Sequence, residues 1–118
     1  MPDAATAPAV EPNMPDWARA RREFSWAAAR RRLDGLPAGR GLNIAHECVD
    51  RHVRAGRGGR VALRCIAADG LRRDLTYAAL KRVTSRFAAV LERLGVRPGD
   101  RVCTVLGRRP EFVVAALG

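Results

Sequence analysis

The 118-residue chain predicts an α/β fold: peripheral helices, then a β-hairpin, then the opening of one parallel βα unit. Three observations carry the expectation. Two runs with strand-like alternation, VALRCI and LRRDLTY, flank an Asp69-Gly70 turn signal. A long amphipathic stretch follows, with Tyr77, Leu80, Val83, Phe87, Val90 or Leu91, and Leu94 stepping by three and four. Then RVCTVL, almost wholly apolar or β-branched, leads through GRRP into the apolar PEFVVAALG, the pattern of a strand covered on both faces and its crossover helix.

In chain order, Met1 to Asp16 is rich in Pro and Ala without hydrophobic period, so residues 1–16 are expected to be a disordered tail. One helix is expected from Trp17 to about Leu33, capped by Asp16, with Trp17, Phe24 and Ala28 on a shared face. DGLPAGRG, residues 34–41, is a turn-rich connector, so residues 17–41 form a helical extension. The stretch LNIAHECVDRHV then places Ile44, Ala45, Cys48, Val49, His52 and Val53 on one helical stripe. Asn43 is placed to cap that helix and Gly56 to end it. Glu47 to Arg51 and Asp50 to Arg54 are acid-before-base pairs four apart, the favourable order on an exposed face.

GRGGR, residues 56–60, is a loop leading into the hairpin. Thr76 is the expected N-cap of the long helix, Gly95 follows its last turn and Pro98 lies beyond. The last helix has Pro110 in its first turn and Glu111 near its positive end. A strand followed by an apolar helix calls for a second parallel strand, which PEFVVAALG does not reach. The expectation is therefore an N-terminal fragment of a larger α/β protein, with residues 42–118 the truncated start of its main domain.

The net charge is +10, with 22 basic and 12 acidic residues, and Lys81 is the lone lysine. Such a charge attracts nucleic acid and anionic surfaces whatever the fold, so its focus matters. Basic residues outnumber acidic ones seven to five over residues 1–40, seven to four over 41–75, and eight to three over 76–118. The excess is spread, aromatics are only 5% of residues, and no recognition motif appears, which weighs against a specific nucleic-acid partner. No apolar run approaches a membrane span, and MPDAATAPAVEPNMP lacks the basic start and apolar core of a secretory signal, so the expected location is cytoplasmic with no membrane partner. Cys48, Cys65 and Cys103 are widely separated and contain no C-x-x-C pair; each is expected to be a buried small hydrophobe.

Few residues invite chemistry. His46 and His52, six apart, point to different helix faces and are not expected to share a metal; His52 falls on the apolar stripe as a partly buried side chain. Asp50 and Arg51 read as solvent-side or interface pairing residues. A phosphate-cradling loop runs from a strand into a helix N-terminus. GRGGR instead leaves a helix and enters a strand, while GRGLN precedes a helix without following a strand. Arg108 and Arg109 stand after the end of the apolar strand, the side of an α/β sheet where ligands gather, and are either solvated junction residues or partners of an anion such as a CoA phosphate.

Taken in order, LNIAHECVDRH, VALRCIAADG, DLTYAALKRVTSRFAAVLERLGVRPGDRV and LGRRPEFVVAALG resemble the start of the AMP-forming acetyl-CoA synthetases, members of the adenylate-forming ligase superfamily. The resemblance runs from about Trp17 to Gly118 and includes the Phe24 and Trp26 element of the acetate-activating branch. LTYAAL and GDRV recur across the superfamily; Asp50-Arg51-His52 and Gly107-Arg108-Arg109-Pro110-Glu111 are more specific to the short-chain branch. Ala79 departs from the glutamate common among relatives, removing a capping-box partner for Thr76.

The resemblance implies the start of an adenylate-forming ligase large domain. It also implies a two-step reaction in the full-length enzyme: a carboxylate attacks ATP to give an acyl-adenylate and pyrophosphate, then CoA displaces AMP. ATP, Mg2+ and coenzyme A would be its cofactors, all engaged beyond Gly118, so neither catalytic, cofactor-binding nor metal-binding residues are expected within these residues, and the fragment alone is expected to be inactive. The contrasting expectations are a small basic nucleic-acid-binding module and an interaction module completed by a partner chain.

Overall fold

The computed structural model describes residues 14–118. The expected disordered tail, residues 1–16, lies outside them save for Met14, Pro15 and Asp16. The chain divides into two compact units, Met1–Leu33 and Asp34–Gly118.

In the first unit the expected single helix is two. Helix α1 spans Trp17–Glu23 and α2 spans Trp26–Arg31. Asp16 caps α1 through its carboxylate, which accepts from the Arg19 amide at 2.8 Å, as the sequence predicts. The break comes at Phe24 and Ser25. Phe24 is extended, and Ser25 starts a new helix by accepting from the Ala28 amide at 3.1 Å. A serine hydroxyl competes for backbone donors in this way, so a run of good helix formers around it is not sufficient to carry one helix through. Trp17, Phe24 and Ala28 consequently do not share a helix face. Phe24 instead meets Trp26 edge to face at 5.1 Å.

The second unit begins with a 3-10 turn, Pro37–Gly39, and a helix over residues 44–57 that is wound wide over His46–Asp50 and Val53–Arg57. Asn43 caps it, its side-chain oxygen accepting from the His46 amide at 2.9 Å, and Gly56 at φ +74° breaks it, both as expected. Strands β1, Val61–Ile66, and β2, Arg72–Thr76, form an antiparallel hairpin with an irregularity between Val61 and Leu63. Helix α3 spans Tyr77–Arg93 and α4 spans Pro110–Leu117.

The start of α3 locks the unit together. Thr76 Oγ1 accepts from the Ala79 amide at 3.2 Å, while the Tyr77 and Ala78 amides donate to the carbonyls of Arg60 and Gly58. Three of the four amides that a helix N-terminus leaves without internal partners are thereby satisfied, two of them by the loop that closes the preceding helix. Among the described residues four are buried: Val49, His46, Leu80 and Thr84. They mark a small core where α3 packs on the 44–57 helix.

Several expected core positions lie elsewhere. Ile44 is 69% exposed and Cys48 is exposed, whereas His46, outside the predicted stripe, is 5% exposed. The cause is the wide winding: the Arg51 amide reaches back five residues to the His46 carbonyl. Each residue then advances through a smaller angle than a 3.6-residue period assumes, and the inward face drifts. Cys103 is exposed and Cys65 half-buried, so none of the three cysteines is the buried hydrophobe expected of it. In α3, Leu91 rather than Val90 is turned inward, and Leu94, 74% exposed, runs past the elements that pack on the helix.

The largest departure is RVCTVL. Residues 101–106 form no strand, and all six are exposed, Val105 completely. β-branched composition prepares a segment for a sheet but cannot supply the neighbouring strand its amides and carbonyls require. Among the described residues, β1 and β2 pair only with each other.

Candidate functional site

Two polar constellations occupy the second unit. The first surrounds the 44–57 helix. Glu47 accepts from the Gly35 amide at 2.7 Å and the Asp34 amide at 3.3 Å, and pairs with Arg51 at 2.8 Å. The Gly35 amide, followed by the Arg51 guanidinium, holds the Glu47 carboxyl below its usual range despite partial desolvation. Glu47 thereby staples the connector to the helix. The predicted Glu47–Arg51 pair exists; the predicted Asp50–Arg54 pair does not. Asp50 instead reaches Lys81 on α3 at 3.1 Å and stands 3.8 Å from His46 Nδ1, while Arg54 lies 3.9 Å from Asp34. An acid facing a cation on a packed neighbouring helix is drawn across the interface rather than along its own surface.

The histidines diverge. His46 is buried with its Nε2 unpartnered, and His52 stacks on Tyr77 at a ring separation of 4.6 Å. Arg57 donates to His52 Nδ1 from both Nε, at 3.1 Å, and a terminal nitrogen, at 2.9 Å. An arginine cannot accept, so these contacts make Nδ1 the acceptor and leave the ring proton on Nε2. The family-marker stretch Asp50-Arg51-His52 thus ties the helix to α3, to the connector and to the start of α3 in turn. These are positioning contacts.

The second constellation lies where α4 begins. Arg108 and Arg109 border a groove of about 450 Å3 together with Arg72 and Arg73 of β2 and Glu111 of α4. Its floor is apolar, with Ile66, Leu71 and Pro110. Arg72 is held by Asp74, which also receives a two-pronged contact from Arg64 across the hairpin at 2.9 and 3.1 Å. The Arg64 guanidinium first, then Arg72, holds the Asp74 carboxyl below its usual range. Arg73 stands 3.9 Å from Glu111. Arg108 and Arg109 were legible in the sequence as strand-end residues. Arg72 and Arg73 were not, because only the hairpin's placement brings them to residues some 35 positions away.

Neither constellation offers cation ligands: among the described residues no three His, Cys, Asp or Glu side chains gather in a way that could hold a metal ion. Neither contains a Gly/Ser/Thr loop joining a strand to a helix, so no ATP or Mg2+ step is assigned to these residues.

The model of the AMP-binding enzyme family matches residues 49–118. The chain belongs to that family. Among curated relatives, acetyl-coenzyme A synthetase of Streptomyces avermitilis is 51% identical over 76 residues, covering 64% of this chain and 12% of the relative. That of Mycobacterium tuberculosis is 39% identical over 118 residues, covering 92% and 18%. The crystal structure of Brucella canis acyl-CoA synthetase superposes with a TM-score of 0.72 at 35% identity, over 86% of this chain and 18% of that one. The chain therefore spans less than a fifth of the length of these AMP-binding relatives, and the α/β assignment and the acetyl-CoA synthetase resemblance both hold. The family match begins at Val49, inside the helix that carries Asp50-Arg51-His52, and runs through the groove to Gly118.

Proposed function

We propose that this chain is the opening segment of an AMP-forming short-chain acyl-CoA synthetase, which in full length joins a small carboxylic acid such as acetate to coenzyme A at the expense of ATP, releasing AMP and pyrophosphate. Residues 1–16 are a tail, 17–41 a helical extension, and 42–118 the start of the adenylation domain. The observation that carries the reading is the 39% identity to a Mycobacterium acetyl-CoA synthetase across 92% of the chain. ATP, Mg2+, coenzyme A and the carboxylate are held by parts of the enzyme outside this segment. Its own work is scaffolding: the hairpin and α3 present a rigid support, and residues 101–117 present an apolar edge. A reducing, cytoplasmic setting suits its three unbridged cysteines, and no helix among the described residues is long and apolar enough to cross a membrane.

The test is acetate-dependent exchange of pyrophosphate into ATP. The 118-residue chain alone is expected to show none. A chimera carrying residues 17–118 in place of the matching segment of the Mycobacterium tuberculosis enzyme is expected to retain it. Exchange by the isolated chain, or a folded chimera that binds ATP but no longer responds to acetate, would overturn the proposal.

A further inference from the structure

We propose that the groove between the hairpin and the start of α4 is a binding site for an oligophosphate, with Arg73, Arg108 and Arg109 as its guanidinium donors. The inference rests on these residues alone and does not depend on the ligase reading.

The first support is imbalance. Arg64 and Arg72 spend their charge on Asp74, and Arg51 on Glu47. Around the groove the only acid is Glu111, at 3.9 Å from Arg73, too far for a direct hydrogen bond. Arg108 and Arg109 have no acidic partner among the described residues. Three guanidinium groups thus face one loosely engaged carboxylate, an excess of two positive charges at one place. Elsewhere in the second unit acids and bases are closely matched.

The second support is the backbone. Arg109 stands at the N-cap of α4 in extended conformation, and no side chain caps the helix. The uncapped amide end of an eight-residue helix therefore opens beside the arginines, adding partial positive charge. The third is shape and lining. About 450 Å3 lies within the range of small-molecule sites, and the Ile66 and Leu71 side chains, 70% and 71% exposed, form an apolar floor beneath the charged rim. Forked guanidiniums match phosphate oxygens two at a time, and a ligand with two or more linked phosphates can meet all three arginines where a single carboxylate cannot. The oligophosphate can be free, as pyrophosphate, or part of a nucleotide whose base covers the apolar floor.

Calorimetric titration of the 118-residue chain with pyrophosphate and, separately, with ADP tests the site. Both are expected to bind with one-to-one stoichiometry. R108Q/R109Q is expected to weaken pyrophosphate about tenfold or more. E111Q, which removes the competing carboxylate, is expected to tighten it about two- to threefold. R21Q/R22Q, which removes the same charge from α1, is expected to leave it unchanged. All these residues are exposed, and matching circular dichroism spectra establish that each variant keeps its fold. ADP binding tighter than pyrophosphate assigns the source as a nucleotide, and the reverse order a free oligophosphate. Equal loss in R21Q/R22Q and R108Q/R109Q would show only diffuse attraction to a +10 chain and overturn the proposal. So would no gain in E111Q, or hexaglutamate binding as tightly as pyrophosphate.

Discussion

Residues 44–93 and residues 101–117 carry comparable apolar patterns and meet different fates. In the first region every element finds a partner: β1 finds β2, the 44–57 helix finds α3, and α3 finds the carbonyls of Gly58 and Arg60 for its free amides. In the second, α4 forms and lies near Phe87, yet the valine-rich residues 101–106 stay extended and exposed. The difference teaches that a helix needs only its own backbone, whereas a strand needs another chain segment beside it.

The sharpest way to break this comparison is at Leu80, 4% exposed at the centre of the first region. Leu80→Ala is expected to lower stability by about 2–3 kcal/mol, toward the lower end for a buried leucine because the core is small, and chemical denaturation measures it. Next is the cap that starts α3. Thr76→Ala is expected to cost about 1 kcal/mol, since it strands the Ala79 amide while the loop carbonyls still hold the next two; a thermal melt reads it directly.

Acid titration sharpens the same contrast. Glu47 and Asp74 both titrate below their ordinary values of 4.5 and 3.8 in the folded chain. A depressed carboxyl contributes stability that is present above its unfolded-state value and lost as pH falls through the folded one. The melting temperature is therefore expected to drop as pH is lowered from about 5 toward 3. E47Q/D74N is expected to flatten that dependence and to melt lower at neutral pH. A variant with the wild-type acid slope would show that the two carboxylates are not its origin. The smallest effect is expected in the second region. Val105→Thr, at a fully exposed position, is expected to change stability by less than about 0.5 kcal/mol, although its sequence context reads as core. A loss of 2 kcal/mol or more there would mean that residues 101–106 are sheltered in solution and the contrast is false.

The legible parts of the fold were those fixed by short-range chemistry. The Asn43, Thr76 and Asp16 caps, the Asp69-Gly70 turn and the Gly56 stop each depend on groups within three or four residues, and each stands where the spacing places it. The same logic failed at Ser25, where a local capping interaction was hidden inside a strong helical composition. It failed again at Cys48, where wide winding turned the inward face. Of the groove, Arg108 and Arg109 could be read from their place after an apolar run, but Arg72 and Arg73 looked like ordinary outward residues of a hairpin.

By itself the sequence determined the element types, most of their boundaries and the resemblance to acetyl-CoA synthetases, because caps, turns and periodicity act between near neighbours. Only the tertiary structure decided that Asp50 answers Lys81 rather than Arg54, that His46 is the buried histidine, and that β2 supplies arginines to the start of α4. Those outcomes turn on distances between segments far apart in the chain, and a charge or an apolar face has no preference among such partners until packing sets which one is near.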